Sequence, residues 1–288
     1  MRIRKAVKSD KEEILSFCSN TFDWGDYIDQ VWDLWRADRN GRLLVAESEG
    51  RKIAMSHVAV CPGSKSAWLE GVRVHLSQRR SQVASKLIEK MVQYGRQKGA
   101  HYASAIVAAD NTASQRMMEK NGFEVLSRWA YYSTTAGRAK RQKSEARLAV
   151  ASDLGSIWEY LQQSRVYLLS AKRYVKSWHW YALDRKALRN FINDGRVIVT
   201  GRPISGIAII NKHGYWSKKN ILQIIYLDPA STKSLRHLVL FVTNLYLDGN
   251  FERLQVLCHE SKNMTCFFEK FMIKEEEQFL LYNKVFTP

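Results

Sequence analysis

The stretch EGVRVHLSQRRSQVASKLIEKMVQYGRQKG, Glu70 to Gly99, decides how this chain folds. Its opening, EGVRVH, is valine-rich and alternates, the pattern of a half-buried strand. VASKLIEKMVQYGRQK repeats its apolar residues (Val83, Leu87, Ile88, Met91, Val92) at intervals of three and four, a helical period, and Gly99 marks the helix end. Between them stands a short polar loop with two adjacent arginines, Arg79 and Arg80.

The surrounding sequence supplies the rest of an α/β domain. RIRKAV reads as a strand, and Asp10 caps a helix over KEEILSFCSN. TFDWGDYIDQVWDLWRAD is a second amphipathic stretch anchored by Trp24, Tyr27, Val31, Trp32 and Trp35. RLLVAES and IAMSHVAVCP flank the turn EGRK as a hairpin, and SAWLEGVRVH is the next strand. Beyond Gly99, HYASAIVAA reads as a strand and Thr112–Lys120 as a short helix stopped by Asn121-Gly122. FEVLSRWAYYST closes the set. TTAGRAKRQKSE then breaks the pattern with few core residues and much positive charge. After it the order begins again: strand RLAVAS, helix Asp153–Gln163, hairpin RVIVTGRPISGIAIINK, strand NILQIIYLD, helix Leu235–Leu247, strand FERLQVLCHE, helix Asn263–Lys270 and strand EEQFLLYNKVF. A repeated element order over 288 residues predicts two α/β domains of about 140 residues each. They are 1–135 and 148–288, joined by a basic linker, 136–147.

Composition narrows the setting. At 45% hydrophobic residues the chain has enough apolar material for a packed core. The first residues, MRIRKAVKSDKEEI, lack the apolar segment of an export signal, and no apolar run reaches the ~20 residues of a spanning helix. Four cysteines, Cys18, Cys61, Cys258 and Cys266, form no CxxC pair, so zinc spacing is missing and a reduced, cytoplasmic protein is expected. The net charge of +17 favours anionic partners. A phosphate-rich cofactor, an acidic protein and nucleic acid all qualify. Nucleic acid ranks behind, because zinc-finger spacing, a GXXG loop and an RNA-recognition aromatic signature are all missing. The aromatic and basic stretch RVYLLSAKRYVKSWHWYALDRK, Arg165 to Lys186, reads equally as a stacking surface, a lid, or core with snorkelling lysines and arginines.

Two motifs carry a resemblance. Arg79, Val83, Ala84 and Leu87 fall where the strand–loop–helix motif R-G-x-G-x-G/A of the GNAT superfamily of N-acetyltransferases has its fixed positions. Asn111, Ser114, Met117, Gly122 and Phe123 match that family's N-x-x-A/S-x-x-L-Y-x-x-x-G-F stretch, in the expected order. Residues 1–135 thus resemble a GNAT domain, and 148–288 a degenerate copy of it. The resemblance implies an α/β fold of two GNAT-like domains, each a mixed, largely antiparallel sheet flanked by helices. It implies acetyl-CoA as acyl donor and the primary amine of a small molecule or amino acid as acceptor, with a protein or peptide amine, or a non-catalytic module that binds CoA, protein or RNA, as the alternatives. The WLEGVRV approach is similar to a subgroup acting on free amino acids, histidine among them. The chain departs from the pattern at Arg80 and Gln82, where relatives carry glycine, and at Met118, where many carry a tyrosine near the departing sulfur.

The resemblance also assigns roles. The backbone of Val72 and Val74 and the loop Arg79, Arg80, Ser81, Gln82, Val83 and Ala84 would hold the cofactor, with the arginines contacting phosphate. Asn111 and Ser114 would lie near the pantetheine arm, or Asn111 would cap the helix it precedes. The acceptor amine must lose a proton to attack, so a base is required. Glu70 is the candidate, on the strand that ends at the thioester, with 70, 72 and 74 expected on one face by alternation. His57 and His75 are alternative bases. Tyr131, or its neighbour Tyr132, is the candidate proton donor on the closing strand.

Overall fold

The computed structural model of the chain describes residues 1–19, 21, 25–135, 141–212, 220–268 and 273–286. Trp24, Arg138 and Lys140 lie outside the described residues. Along the chain run β1 (Arg2–Lys5), α1 (Lys11–Cys18), α2 (Ile28–Ala37), β2 (Arg42–Ser48), β3 (Arg51–Cys61), β4 (Ser66–Val74), α3 (Val83–Gln97), β5 (Tyr102–Ala108), α4 (Thr112–Lys120) and β6 (Glu124–Thr135). There follow β7 (Arg147–Leu148), α5 (Leu154–Gln163), α6 (Arg165–Leu169), β8 (Arg173–Lys176), β9 (His179–Ala182), α7 (Arg185–Asn193), β10 (Val197–Thr200), β11 (Gly206–Asn211), β12 (Ile221–Pro229), α8 (Thr232–Asp248), β13 (Arg253–His259), α9 (Lys262–Phe268) and β14 (Ile273–Val285).

Two compact units result. The first holds Met1–Val107, Asn111–Val125 and the residues from Leu281 on; the second holds Ala108–Asp110 and Leu126–Leu280. This differs from the division at 135 and 148. Leu126–Thr135 of β6 goes with the second unit, and Leu281–Val285 of β14 with the first, because strand pairing rather than chain order decides membership. In the first unit the strand order is β1-β2-β3-β4-β5-β14; in the second it is β7-β10-β11-β12-β13-β6. In both, the first three pairings are antiparallel and the fourth, β4/β5 or β12/β13, is parallel.

The repeat extends to side chains. R-x-A-V-x-S-D occurs at Arg4–Asp10 and again at Arg147–Asp153. In each copy a strand passes into a single 3-10 turn, and the arginine grips the aspartate with both terminal nitrogens, at 2.7 and 2.8 Å in the first and 2.6 and 2.8 Å in the second. The same carboxylate accepts a 2.8 Å bond from the N–H of Val7 or Val150. Arg147 holds the Asp153 carboxyl down at about 2. A depressed carboxyl stabilises the fold above its unfolded value near 3.8 and loses that contribution as pH falls through 2. Asp153→Asn is therefore expected to cost about 1–2 kcal/mol at neutral pH, allowing for solvent screening. The gap to wild type should close between about pH 4 and pH 2 in urea titrations.

In the second unit, Ile198, Ala208 and Ile210 face Leu235, Leu238 and Val242 of α8, while Val197, Val199, Ile207 and Ile209 face Ile157, Leu188 and Phe191 of α5 and α7. Strands covered on both sides read as unbroken apolar runs, as GIAIIN does. The stretch Arg165–Lys186 folds as α6 and the hairpin β8–β9, whose rings are taken up by packing. Trp180 meets Trp129 edge-on at 5.5 Å, and Tyr174 meets Phe191 at 4.9 Å. Among the described residues no helix is long and apolar enough to cross a membrane.

Candidate active site

The hairpin β3–β4 builds the centre of the first unit's site. Its register pairs Cys61 with Ser66 and continues evenly to His57 opposite Glu70. There it breaks: Met55 pairs with Arg73, so β4 spends three steps where β3 spends two. The extra residue is a β-bulge, and Gly71 forms it with φ +65. A side chain on Gly71 would start 2.5 Å from Cζ3 of Trp35, so glycine answers both the backbone conformation and the contact. The bulge also corrects the expected alternation. Glu70, Gly71 and Arg73 face α2, and Val72 and Val74 turn to the other side, since Val74 pairs with Ala54 while Arg73 pairs with Met55.

On the α2 face, Oε1 of Glu70 lies 2.8 Å from Nδ1 of His57. Nε2 of His57 lies 3.5 Å from Oδ2 of Asp38, an ion-pair contact without a closed hydrogen bond. The imidazole is 1% exposed and stacks on Trp35, with centroids 4.7 Å apart and planes 7° apart. Burial opposes charge on this ring, but Asp38 and Glu70 together outweigh it and raise the pKa above the ordinary 6.5. His57 in turn lowers the Asp38 carboxyl. Arg73 is paired with both oxygens of Asp26, at 2.7 and 3.0 Å, and lies over the Tyr27 ring. His75 is turned to Ser77, 2.8 Å from its hydroxyl.

The loop after β4 keeps the shape its sequence put in question. Arg80 has φ +66 and Gln82 φ +64, both in the left-handed region that favours glycine. The two positions where relatives carry glycine thus adopt the glycine conformation, with larger side chains. Arg79, Arg80, Ser81 and Gln82 are exposed; Val83 is buried, so only its backbone can serve a ligand. Gln82 gives no side-chain cap to α3, a helix of 15 residues. Its leading N–H groups and two exposed arginines fit a pyrophosphate. Among the described residues the β4/β5 ladder ends at Trp68 and Ser104, and Val72 and Val74 lie on β4 beyond that end.

Other expected residues are placed elsewhere. Asn111 caps α4, its side-chain oxygen accepting from Ser114 N at 3.0 Å. Met118 is 3% exposed, in the core. Tyr131 belongs to the second unit, 7% exposed, where its hydroxyl accepts a 2.6 Å bond from Gln255. It ends a buried polar row through Gln223 and Asn211, and the first unit does not bring it to Glu70. Sequence pattern offers His57 only as an alternative base and Trp35 only as an apolar anchor, and it gives no sign that Asp38 and Gly71 belong to the site. Given the Cys61–Ser66 pairing, counting outward along both strands sets His57 opposite Glu70.

The second unit has the same bulge, where Ile225 and Tyr226 share a face and β12 gains a residue on β11. By face and register, His57 and Glu70 are matched there by Ile209 and Ile225, both 0% exposed. The link from β12 to α8 is only Ala230 and Ser231, and Ser231 caps the helix through Ser234. No acid–base pair and no open helix start stand at those positions.

Residues 10–123 match the model of the acetyltransferase (GNAT) family. Histidine N-acetyltransferase of Oreochromis niloticus is 28% identical over 83 residues, 29% of this chain and 25% of that protein. Aminoglycoside N(6')-acetyltransferase type 1 of Salmonella typhimurium is 32% identical over 80 residues, 28% of this chain and 55% of that one. The chain therefore spans only a quarter to about half the length of these curated relatives. A tandem GNAT protein from the clavulanic acid biosynthesis pathway superposes with a TM-score of 0.57, over 100% of this chain and 99% of that one, at 12% identity. The fold is that of the GNAT superfamily, in a tandem-like arrangement of two lobes.

Proposed function

We propose that the first unit is an acetyl-CoA-dependent N-acetyltransferase acting on the primary amine of a small molecule or amino acid, in a cytoplasmic setting, and that the second unit has no catalytic centre of its own. The observation that carries this reading is the joining of two features on one strand. Glu70, paired with His57, precedes the bulge of β4, and the same strand leads into a left-handed loop and an uncapped helix start. The histidine and aminoglycoside relatives, both named for small amine-bearing acceptors, favour a small acceptor over a peptide.

Bound there, acetyl-CoA would supply an activated acyl group, a thioester with a thiolate as its leaving group, to an acceptor amine that must be neutral. This chain's residues do the rest. The first-turn N–H groups of α3, with Arg79 and Arg80, hold the phosphates. An N–H of the bulged segment Val72–Val74 stabilises the charge that develops on the carbonyl oxygen. Glu70 accepts the amine proton. Asn111 and Ser114 stand at the head of α4 as candidates for the pantetheine arm, and among its described residues the first unit offers no assigned proton donor to the departing sulfur. The thiolate is a fair leaving group without one, so Met118 is compatible with turnover.

The test is calorimetric titration with acetyl-CoA and with coenzyme A, followed by an acceptor screen read by thiol release. One equivalent bound with micromolar affinity, surviving moderate salt, is the expected result; no saturable binding rejects the reading. Arg79→Ala with Arg80→Ala should weaken binding by about 10- to 100-fold, the worth of a charge-assisted hydrogen bond, and should flatten its salt dependence.

A further inference from the structure

The stretch that begins at Arg165 has no part in acyl transfer, and the fold separates its two kinds of residue. The rings go inward. Tyr167 is 2% and Trp180 3% exposed, Trp178 lies against Tyr131 at 5.3 Å, and Tyr181 stacks on Tyr174 at 5.6 Å. Rings engaged with one another in this way are no platform for bases. The cations go outward. From Arg165 to Asn193 the chain carries seven lysines and arginines and one acid, Asp184. Arg173 is buried, and Lys176 sits at the tip of the β8–β9 hairpin. The other five, Arg165, Lys172, Arg185, Lys186 and Arg189, are exposed, and among the described residues none of them is in an ion pair. Asp184 turns its carboxylate to α7 and caps it, accepting from the N–H of Ala187 at 2.7 Å.

The fold also gathers these five cations. The Tyr167 hydroxyl donates to the Leu183 carbonyl at 2.7 Å. The N–H of Leu183 donates to the Lys172 carbonyl at 2.8 Å, and the N–H of Lys172 to the Tyr167 carbonyl at 2.8 Å. Three bonds thus tie α6, the start of β8 and the entry to α7 together. Ala171 and Lys172 make the connecting turn at φ +54 and +56, a left-handed conformation that persists only where its surroundings enforce it. On α6, Arg165, Leu168 and Leu169 share a face by their spacing of three and four. Both leucines are open to solvent, 57% and 45% exposed. On α7, Arg185 and Arg189 stand one turn apart on one face.

A nucleic-acid backbone rewards the cations of such a surface and gains nothing from the leucines. An anionic lipid surface rewards both, the cations at its headgroups and the leucines at the acyl boundary. We propose that this surface of the second unit, Arg165, Leu168, Leu169 and Lys172 with Arg185 and Arg189 of α7, docks on anionic lipid headgroups. The proposal goes beyond the acyl-transfer reading and is independent of it. At five residues α6 is too short to lie in the headgroup layer as a helix of its own, so the leucines serve as a shallow anchor and the cations supply the attraction. Docking of this kind is peripheral and reversible, and salt weakens it, because the surface potential falls off within a Debye length.

The test is co-sedimentation of the full chain with two kinds of vesicle, phosphatidylcholine alone and phosphatidylcholine mixed in equal parts with phosphatidylserine, at low and at raised salt. The mixed vesicles should carry the protein down, the neutral ones should not, and raised salt should release it. Arg185→Ala with Arg189→Ala should lower the partition coefficient about 25-fold, roughly fivefold for each cation near an anionic surface. Leu168→Ser with Leu169→Ser should lower it about tenfold, since about half of each side chain is free to be buried. All four residues are at the surface, so urea midpoints should stay close to wild type and lost binding can be read as such. The same loss of charge in the first unit, by Arg2→Ala with Lys8→Ala at two exposed positions, should change partitioning by no more than about twofold.

Failure of the mixed vesicles to bind the chain at low salt overturns the proposal. Equal weakening by the Arg2 and Lys8 pair also overturns it, because the attraction would then belong to the charge of the whole chain. If the leucine pair binds vesicles as well as wild type does, lipid is rejected, and titration with a fluorescent RNA duplex then shows whether the cations hold a nucleic-acid backbone instead. None of these measurements involves acetyl-CoA, so the failure of lipid docking and the failure of acyl transfer are told apart.

Discussion

Glu70→Gln is expected to lower kcat by about 10²- to 10⁴-fold while changing acetyl-CoA affinity less than twofold. Glutamine matches glutamate in size, and its carbonyl can still accept a hydrogen bond from His57 Nδ1, so the packing against Trp35 should survive. What it cannot do is take up a proton at working pH. The elements proposed to hold the cofactor lie further along the chain, in the loop from Arg79 to Gln82 and the start of α3, and owe nothing to the charge at position 70. A selective loss of kcat is thus the signature of a base, whereas an equal loss of affinity would mark Glu70 as a structural residue of β4. Thiol-release kinetics paired with calorimetric titration read the two quantities separately, and equal rates for both proteins would remove Glu70 from the mechanism.

The second large effect is expected at Gly71. Gly71→Ala puts a Cβ into the left-handed region and drives it to 2.5 Å from Cζ3 and 2.7 Å from Cη2 of Trp35. The backbone conformation costs about 1 kcal/mol for a residue with a side chain, and forcing an extra carbon into a packed contact costs about 1–3 more. A loss of about 2–4 kcal/mol is the sum, read as a fall in the urea midpoint without a change in slope. Activity should fall as well, beyond what stability explains, because the tryptophan that must move is the one stacked on His57. A loss under about 0.5 kcal/mol would show that the bulge and the indole relax together and that the site does not depend on their fit.

Both expectations draw on features of different legibility. β3 and β4 are each readable as strands from their patterns, whereas their pairing, with its even register from Cys61–Ser66 to His57–Glu70, is given by the structure. So is the break just beyond. A period of two carried through Gly71 would put Glu70, Val72 and Val74 on one face; the bulge sets Glu70 with Gly71 and Arg73 instead. Arg80 and Gln82 misled in a different way. As residue types they argue against a glycine loop, yet the backbone takes the glycine conformation at both, because the strand before and the helix after fix where the loop must turn.

The sequence by itself determined the strand–loop–helix unit, the basic charge, the repeated order of elements and Glu70 as a candidate base. These depend on local periodicity and residue chemistry, which the chain carries at every position. Only the tertiary structure decided which strand closes each sheet, where β4 bulges, and that His57 stands between Glu70 and Asp38. Those depend on contacts between residues far apart in sequence. Trp35 of α2 lies over Gly71, β6 pairs with β13, and Asp38 reaches β3 from the end of α2. No window of local sequence holds both partners of such a contact.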